Sequence, residues 1–162
     1  MKPASSVKDR PVTHVPLYAA PGRNSYEQLL KRAHMEALNS DATYIDINHL
    51  TGALIGHPNG PVRFALAQAM REEDVSEIKV RQLLGLGPFE PVEILFLYSN
   101  PRLYSPILDQ VFLKADTIPG DSRVNSLLLA LLDSVSKEHS VSELTPAKHL
   151  ILSIKNGKLK GV

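Results

Sequence analysis

From Tyr26 onward the apolar residues recur at helical spacing. Tyr26, Leu29, Leu30, Ala33 and Ala37 fall at i, i+3, i+4, i+7 and i+11, one face of a helix that leaves Lys31, Arg32 and Glu36 toward solvent. Ser25 with Gln28 three positions on has the spacing of a capping box, so the helix starts there and ends near Ser40. After the polar turn Asp41-Ala42-Thr43, Asp46 is placed to cap a short second helix carrying Leu50, Ala53 and Leu54, which Gly56-His57-Pro58-Asn59-Gly60 stops. Pro61 suits the first position of a third helix over 61–70, with Val62, Ala65, Leu66 and Ala69 inward. A fourth, over 77–84, has Ile78 or Lys79 near its start and directs Val80, Leu83 and Leu84 to the core, and Gly85 closes it.

Gly85-Leu86-Gly87-Pro88-Phe89-Glu90-Pro91 is a turn-rich connector, and Val92 to Tyr98, apolar and β-favouring, predict an extended segment with one short strand at most. The helical spacing then returns. Asn100-Pro101 offers an N-cap and first position, with Tyr104, Ile107, Leu108, Val111 and Ala115 on one face. Pro106 would remove a hydrogen bond inside that helix, so either a kink occurs there or the helix begins at Ser105. A Gly120-Asp121-Ser122 turn precedes a Leu-rich helix over about 124–134, and Thr145-Pro146 begins a last helix to about Ile154. Residues 135–144 are too short and polar to match 61–70, so the third helix of this half is truncated or replaced by a loop.

Residues 25–84 and 101–155 thus read as two copies of one helical unit. The expected fold class is all-α, a pseudo-twofold repeat of two roughly four-helix units with the second repeat partly degenerate. The expected organisation is a flexible segment over 1–24, one domain over 25–155 (repeats 25–85 and 100–155 joined by a connector, 86–99) and a tail over 156–162. A length of 162 residues suits a single core. The formal charge of +1, with acids and bases interspersed, supplies no electrostatic argument for nucleic acid or an anionic membrane. With no cysteine there is no disulfide, no thiolate nucleophile and no Cys-type zinc site. Residues 1–24 lack a secretory apolar core and no apolar run approaches the ~20 residues of a membrane span, so the expected compartment is the cytoplasm or an organelle stroma.

Ile47-Asn48-His49-Leu50-Thr51-Gly52-Ala53-Leu54-Ile55 and Val124-Asn125-Ser126-Leu127-Leu128-Leu129-Ala130-Leu131-Leu132 stand roughly 75 residues apart. Both resemble the Thr-Glu-His-Ile-Leu-Leu-Gly-Leu helix of the double-repeat N-terminal (Clp N) domain of the Clp ATPases. Tyr98-Ser99-Asn100-Pro101-Arg102 is similar to the Tyr-Thr-Pro-Arg start of that family's second copy, and the resemblance covers roughly 24–155. It implies a protein-recognition module of the Clp chaperone and protease system, an accessory or regulatory subunit or a substrate- and adaptor-binding domain. The implied partner is a Clp ATPase or protease, an adaptor or a substrate peptide. Some relatives hold phosphorylated arginine through a Glu in each copy; Asn48 and Asn125 stand at those positions and remove the carboxylates. No Gly-x-x-x-x-Gly-Lys-Ser/Thr loop is present, so ATP hydrolysis is not expected, and the chain reads as a stand-alone protein or the front of a larger ATPase.

No catalytic, metal or cofactor signature competes with this reading. His49 with Asp46 or His34 lacks ligand spacing and suits capping or a helix surface. Ser122, Ser126 and His139 form no recognisable nucleophile–base pattern. Glu72-Glu73-Asp74 is either an acidic docking patch or the solvated end of a helix. Tyr98, Arg102 and Tyr104 cluster near the start of the second copy, either lining a recognition groove or serving as core and cap, and with Asn48 and Asn125 they are the candidate partner-binding residues. The rival function is a small helical DNA-binding protein, in which Lys79, Arg81 and Lys31-Arg32 would contact phosphates.

Overall fold

The computed structural model of the chain describes residues 25–56, 61–120, 122–135, 145–157 and 159. The described residues are all-α in class: eight helices and one two-stranded sheet. The expectations for 1–24, for the stop at 57–60 and for the degenerate stretch 136–144 lie outside the described residues.

Helix α1 (Ser25–Asn39) packs its Leu29, Ala33 and Ala37 stripe on α2 (Ile47–Gly56). Two glycines one turn apart on α2 permit the close approach. A Cβ at Gly52 would lie 2.5 Å from Leu86 Cδ1 and 3.3 Å from Glu36 Oε2, and one at Gly56 would lie 2.5 Å from a terminal nitrogen of Arg32. Arg32 and Glu36, also one turn apart, therefore face α2 and not solvent, which corrects their expected position. Glu36 is fully buried and meets the buried Arg81 of α4 (Glu77–Leu83) in two 2.7 Å hydrogen bonds, while Arg81 Nε donates to the Gly87 carbonyl at 2.8 Å.

Three helix ends share one device. After α1, α3 (Pro61–Glu72) and α4, the chain turns through a residue with positive φ, Asp41 (53°), Asp74 (53°) and Gly85 (79°). The amide beyond each reaches back to the last turn: Ala42 to the Ala37 carbonyl, Val75 to Met70 and Leu86 to Arg81, at 2.8–3.0 Å. Gly85 closes α4 as the sequence predicts, and Leu86 then turns into the core.

The segment 92–98 corrects its expectation. It forms α5 (Ile94–Ser99), because Ser99 Oγ and Asn100 Nδ2 fold back to the Leu95 and Phe96 carbonyls (2.7 and 2.8 Å) and satisfy the helix end locally. Apolar β-formers gain from a strand only by pairing with a neighbouring one, and among the described residues the one sheet pairs β1 with β2. Helix α6 (Pro106–Asp116) begins at the second of the two expected starts. Ser105 Oγ accepts from the Leu108 amide and Pro106 occupies the first turn, so no kink arises. The residues before it form β2 (Leu103–Tyr104), parallel to β1 (Tyr44–Ile45) in the register Tyr44 to Leu103 and Ile45 to Tyr104.

Helix α7 (Arg123–Val135) carries the Leu-rich run, and α8 (Pro146–Lys155), capped by Thr145 Oγ1, follows its expected limits. Packing runs from α1 to α2, α3, α8, α7 and α6, with α1 touching α7 to close the circuit around one core. Leu159 belongs to that core, so the expected tail contributes to the domain.

Glu36→Ala leaves the Arg81 charge buried without its partner and should destabilise the fold by about 3–5 kcal/mol in urea denaturation. Asp74→Gly relieves a left-handed backbone and removes a carboxylate from a helix C-terminus, and should stabilise by about 0.5–1 kcal/mol in the same assay.

Candidate recognition surface

The turn from β1 into α2 and the turn from β2 into α6 lie side by side. The Ser105 amide donates to the Ile45 carbonyl (2.9 Å), continuing the ladder, and Ser105 Oγ donates to Asp46 Oδ1 (2.8 Å), which also accepts from the Ile47 amide (2.8 Å). One carboxylate thus sits between two helix N-termini, where the helix dipoles favour negative charge. The Asp46 amide in turn donates to His49 Nδ1 at 2.9 Å, so His49 fills the place that Glu or Gln takes in a capping box. Burial holds the His49 imidazole at a pKa of about 4 against the opposing pull of Asp46, and the ring is neutral with its proton on Nε2.

These turns fix the outward residues of the sheet. Ile45 and Tyr104 point into the core, while Tyr44 and Leu103, paired across the strands, point out. The segments on either side of α5 are held to α1 and to the turn before β1 at several points. Asn39 bonds both the amide and the carbonyl of Glu90 (2.8 and 3.1 Å), and His34 Nε2 lies 2.9 Å from the Asn100 carbonyl. Arg102 Nε donates to the Ala42 carbonyl at 2.7 Å, and the Arg32 guanidinium stacks 3.8 Å above the Phe89 ring. Burial lowers the pKa of His34, although the Asn100 carbonyl opposes the shift.

Held this way, α5 buries Leu97 alone. Ile94, Leu95, Phe96 and Tyr98 are 41%, 74%, 54% and 48% exposed, and the outward sheet residues Tyr44 and Leu103 are 42% and 38% exposed. Large apolar side chains gathered on one exposed surface mark interaction sites in folded proteins.

Of the candidate residues, the structure brings Tyr98, Arg102 and Tyr104 into this one segment in different roles. Tyr98 is on the surface, Arg102 is a half-buried clamp, and Tyr104 is 3% exposed with its ring edge-on to Phe112 at 4.7 Å. Tyr104 is therefore core, the second of the two roles its place in the sequence allows. Asn48 and Asn125 do not come together as equivalents. Asn48 is buried and donates to the Leu84 carbonyl at 3.2 Å, whereas Asn125 is exposed in the first turn of α7, its amide bonded to Ser122 Oγ. Sequence reasoning missed Tyr44, Ile94, Leu95, Phe96 and Leu103. A continuous apolar run signals burial, and nothing local distinguishes the one inward leucine from its outward neighbours.

The other candidates have structural duties. Ser122 caps α7, Ser126 Oγ donates to the Ile118 carbonyl, and His139 is outside the described residues. Glu72 and Glu73 pair with Lys148 and Lys155 at 3.5–3.7 Å, joining α3 to α8. Arg81 is spent on Glu36 and Arg32 lies on Phe89, which removes two of the cations that the DNA-binding reading requires. Among the described residues no group of His, Asp and Glu could hold a metal ion, and no helix is long and apolar enough to cross a membrane. No protein-family model, curated protein or solved structure matches the chain.

With a folded pKa near 4 and an unfolded value near 6.5, the unfolded chain takes up the His49 proton first as pH falls. The contribution of neutral His49 is complete above about pH 6.5, and roughly 3 kcal/mol is lost on descending to pH 4. His49→Gln retains an acceptor for the Asp46 amide, and urea denaturation across this pH range should show a flatter slope for the variant than for the wild type.

Proposed function

We propose that the chain is a protein-recognition module without catalytic chemistry of its own. It serves a Clp-type chaperone or protease as an accessory subunit or as the domain that receives adaptors and substrates. The observation that carries this reading is the set of exposed apolar side chains on α5 together with Tyr44 and Leu103, in a region held by the Asp46–Ser105 cap and by the Asn39 and Arg102 hydrogen bonds. A surface of this kind contributes binding energy only when another macromolecule covers it, and its preformed shape lowers the ordering cost of binding.

The resemblance to the Clp N double repeat supplies the class of partner. A pseudo-twofold relation is part of the proposal and draws support from the order of packing. Helices α1, α2 and α3 would correspond to α6, α7 and α8: α1 packs on α2 as α6 packs on α7, and α2 packs on α3 as α7 packs on α8. Pro61 and Pro146 each open the third helix of their set, and α3 packs against α8, where equivalent elements would meet at a twofold axis. In that correspondence the second unit lacks a counterpart of α4 among the described residues, not of the third helix.

Affinity capture from source extract with the purified chain tests the reading, beside the variant Leu95→Ser/Phe96→Ser. Both side chains are exposed, so the helical circular dichroism should be unchanged. The wild type should recover a Clp ATPase, a Clp protease subunit or a defined adaptor, and the variant should lose it. Recovery of no such component by the wild type would sink the Clp assignment, and undiminished recovery by the variant would place the binding surface elsewhere.

A further inference from the structure

Three exposed carboxylates belong to the segments next to α5. Asp41 follows the end of α1, Glu90 is bonded through its backbone to Asn39 at that same end, and Glu93 immediately precedes α5. All three side chains are exposed, and no ion pair holds any of them among the described residues. The C-terminal end of α1, with its negative partial charge, points the same way. Between 82 and 113 the chain contains no lysine, and its single arginine, Arg102, has its guanidinium turned onto the Ala42 and Pro101 carbonyls. Arg32 is covered by the Phe89 ring. An apolar patch rimmed by three carboxylates thus sits on a molecule whose overall charge is +1.

That rim discriminates among occupants. A second copy docked face to face would set Asp41, Glu90 and Glu93 against themselves, since a twofold interface pairs a patch with its own image. An anionic lipid surface or a nucleic acid would meet the same repulsion. A cationic partner would meet attraction, with the apolar patch supplying the contact energy and the rim its selectivity and speed of encounter.

Resting on the protein-recognition reading above, we infer that the α5 surface receives a cationic amphipathic protein segment, whose large apolar side chains cover Leu95, Phe96 and Tyr98 while its flanking Lys or Arg residues meet Asp41, Glu90 and Glu93. An amphipathic helix, with apolar anchors at i, i+3 or i+4 and i+7, presents such a stripe.

The test is a fluorescence-anisotropy titration of the intact chain with two helical peptides that share a Leu/Phe stripe, one with Lys and one with Glu on the polar face. The Lys peptide should bind about tenfold tighter, a margin that three rim charges supply and that rising salt erodes. Glu90→Lys/Glu93→Lys should reverse the preference, and Leu95→Ser/Phe96→Ser should abolish binding of both peptides. Equal affinity for the two peptides, or failure of the Lys peptide to bind, overturns the inference. If extract capture of a Clp component still depends on Leu95 and Phe96 in that case, the functional reading stands and only the cationic partner falls. A concentration-dependent dimer in sedimentation that Leu95→Ser/Phe96→Ser removes would assign the patch to a second copy. Flotation with phosphatidylglycerol vesicles would assign it to lipid, and either result overturns the cationic segment.

Discussion

Glu36 and Arg81 meet inside the protein through two parallel 2.7 Å hydrogen bonds, and much of the first half of the chain is arranged around that contact. Desolvating a carboxylate and a guanidinium costs several kcal/mol each, so the pair is tolerable only with close geometry and satisfied hydrogen bonds. Gly52 supplies the space by leaving no Cβ where Glu36 and Leu86 must lie. Arg81 uses its third hydrogen bond on Gly87, which fixes the direction in which the chain leaves α4. The connector then runs back along α1, anchored at Arg32, Asn39 and His34 before it reaches β2. An ion pair with modest net stabilisation therefore decides where α5 is displayed.

The second constraint is the junction of Asp46 and Ser105, residues 59 apart in sequence whose side chains share a 2.8 Å hydrogen bond. It ties the start of α2 to the start of α6 and sets the register of two strands only two residues long. A sheet so short has little stability of its own. Its role is geometric, turning Ile45 and Tyr104 inward and Tyr44 and Leu103 outward. The outward pair adds to the exposed apolar side chains of the chain, and the polar contacts at the junction fix which two residues of the sheet are exposed.

Most helices were legible because their signals are local. Thr145-Pro146, Pro61 and Gly85 mark ends whose hydrogen bonds close within a few residues, and the Leu-rich run of α7 needs only its own periodicity. The candidate surface was legible only at Tyr98, and its support at Arg102. Tyr104 and Asn48, equally polar by type, went into the interior because the strand register and the Leu84 carbonyl claimed them. The apolar run before Tyr98 could not be resolved into inward and outward positions, since alternation is the signal for facing and this run has none.

Residue pattern alone therefore determined the helical class of the chain and the ends of its longer helices, which follow from periodicity and from caps acting over three or four positions. Tertiary structure decided the burial of Glu36 with Arg81, partners 45 residues apart, and the exposure of α5. Both outcomes are set by which distant backbone lies opposite a side chain. A charged residue on a helix faces solvent unless a partner from elsewhere waits behind it, and an apolar run is buried unless the surrounding contacts hold it out.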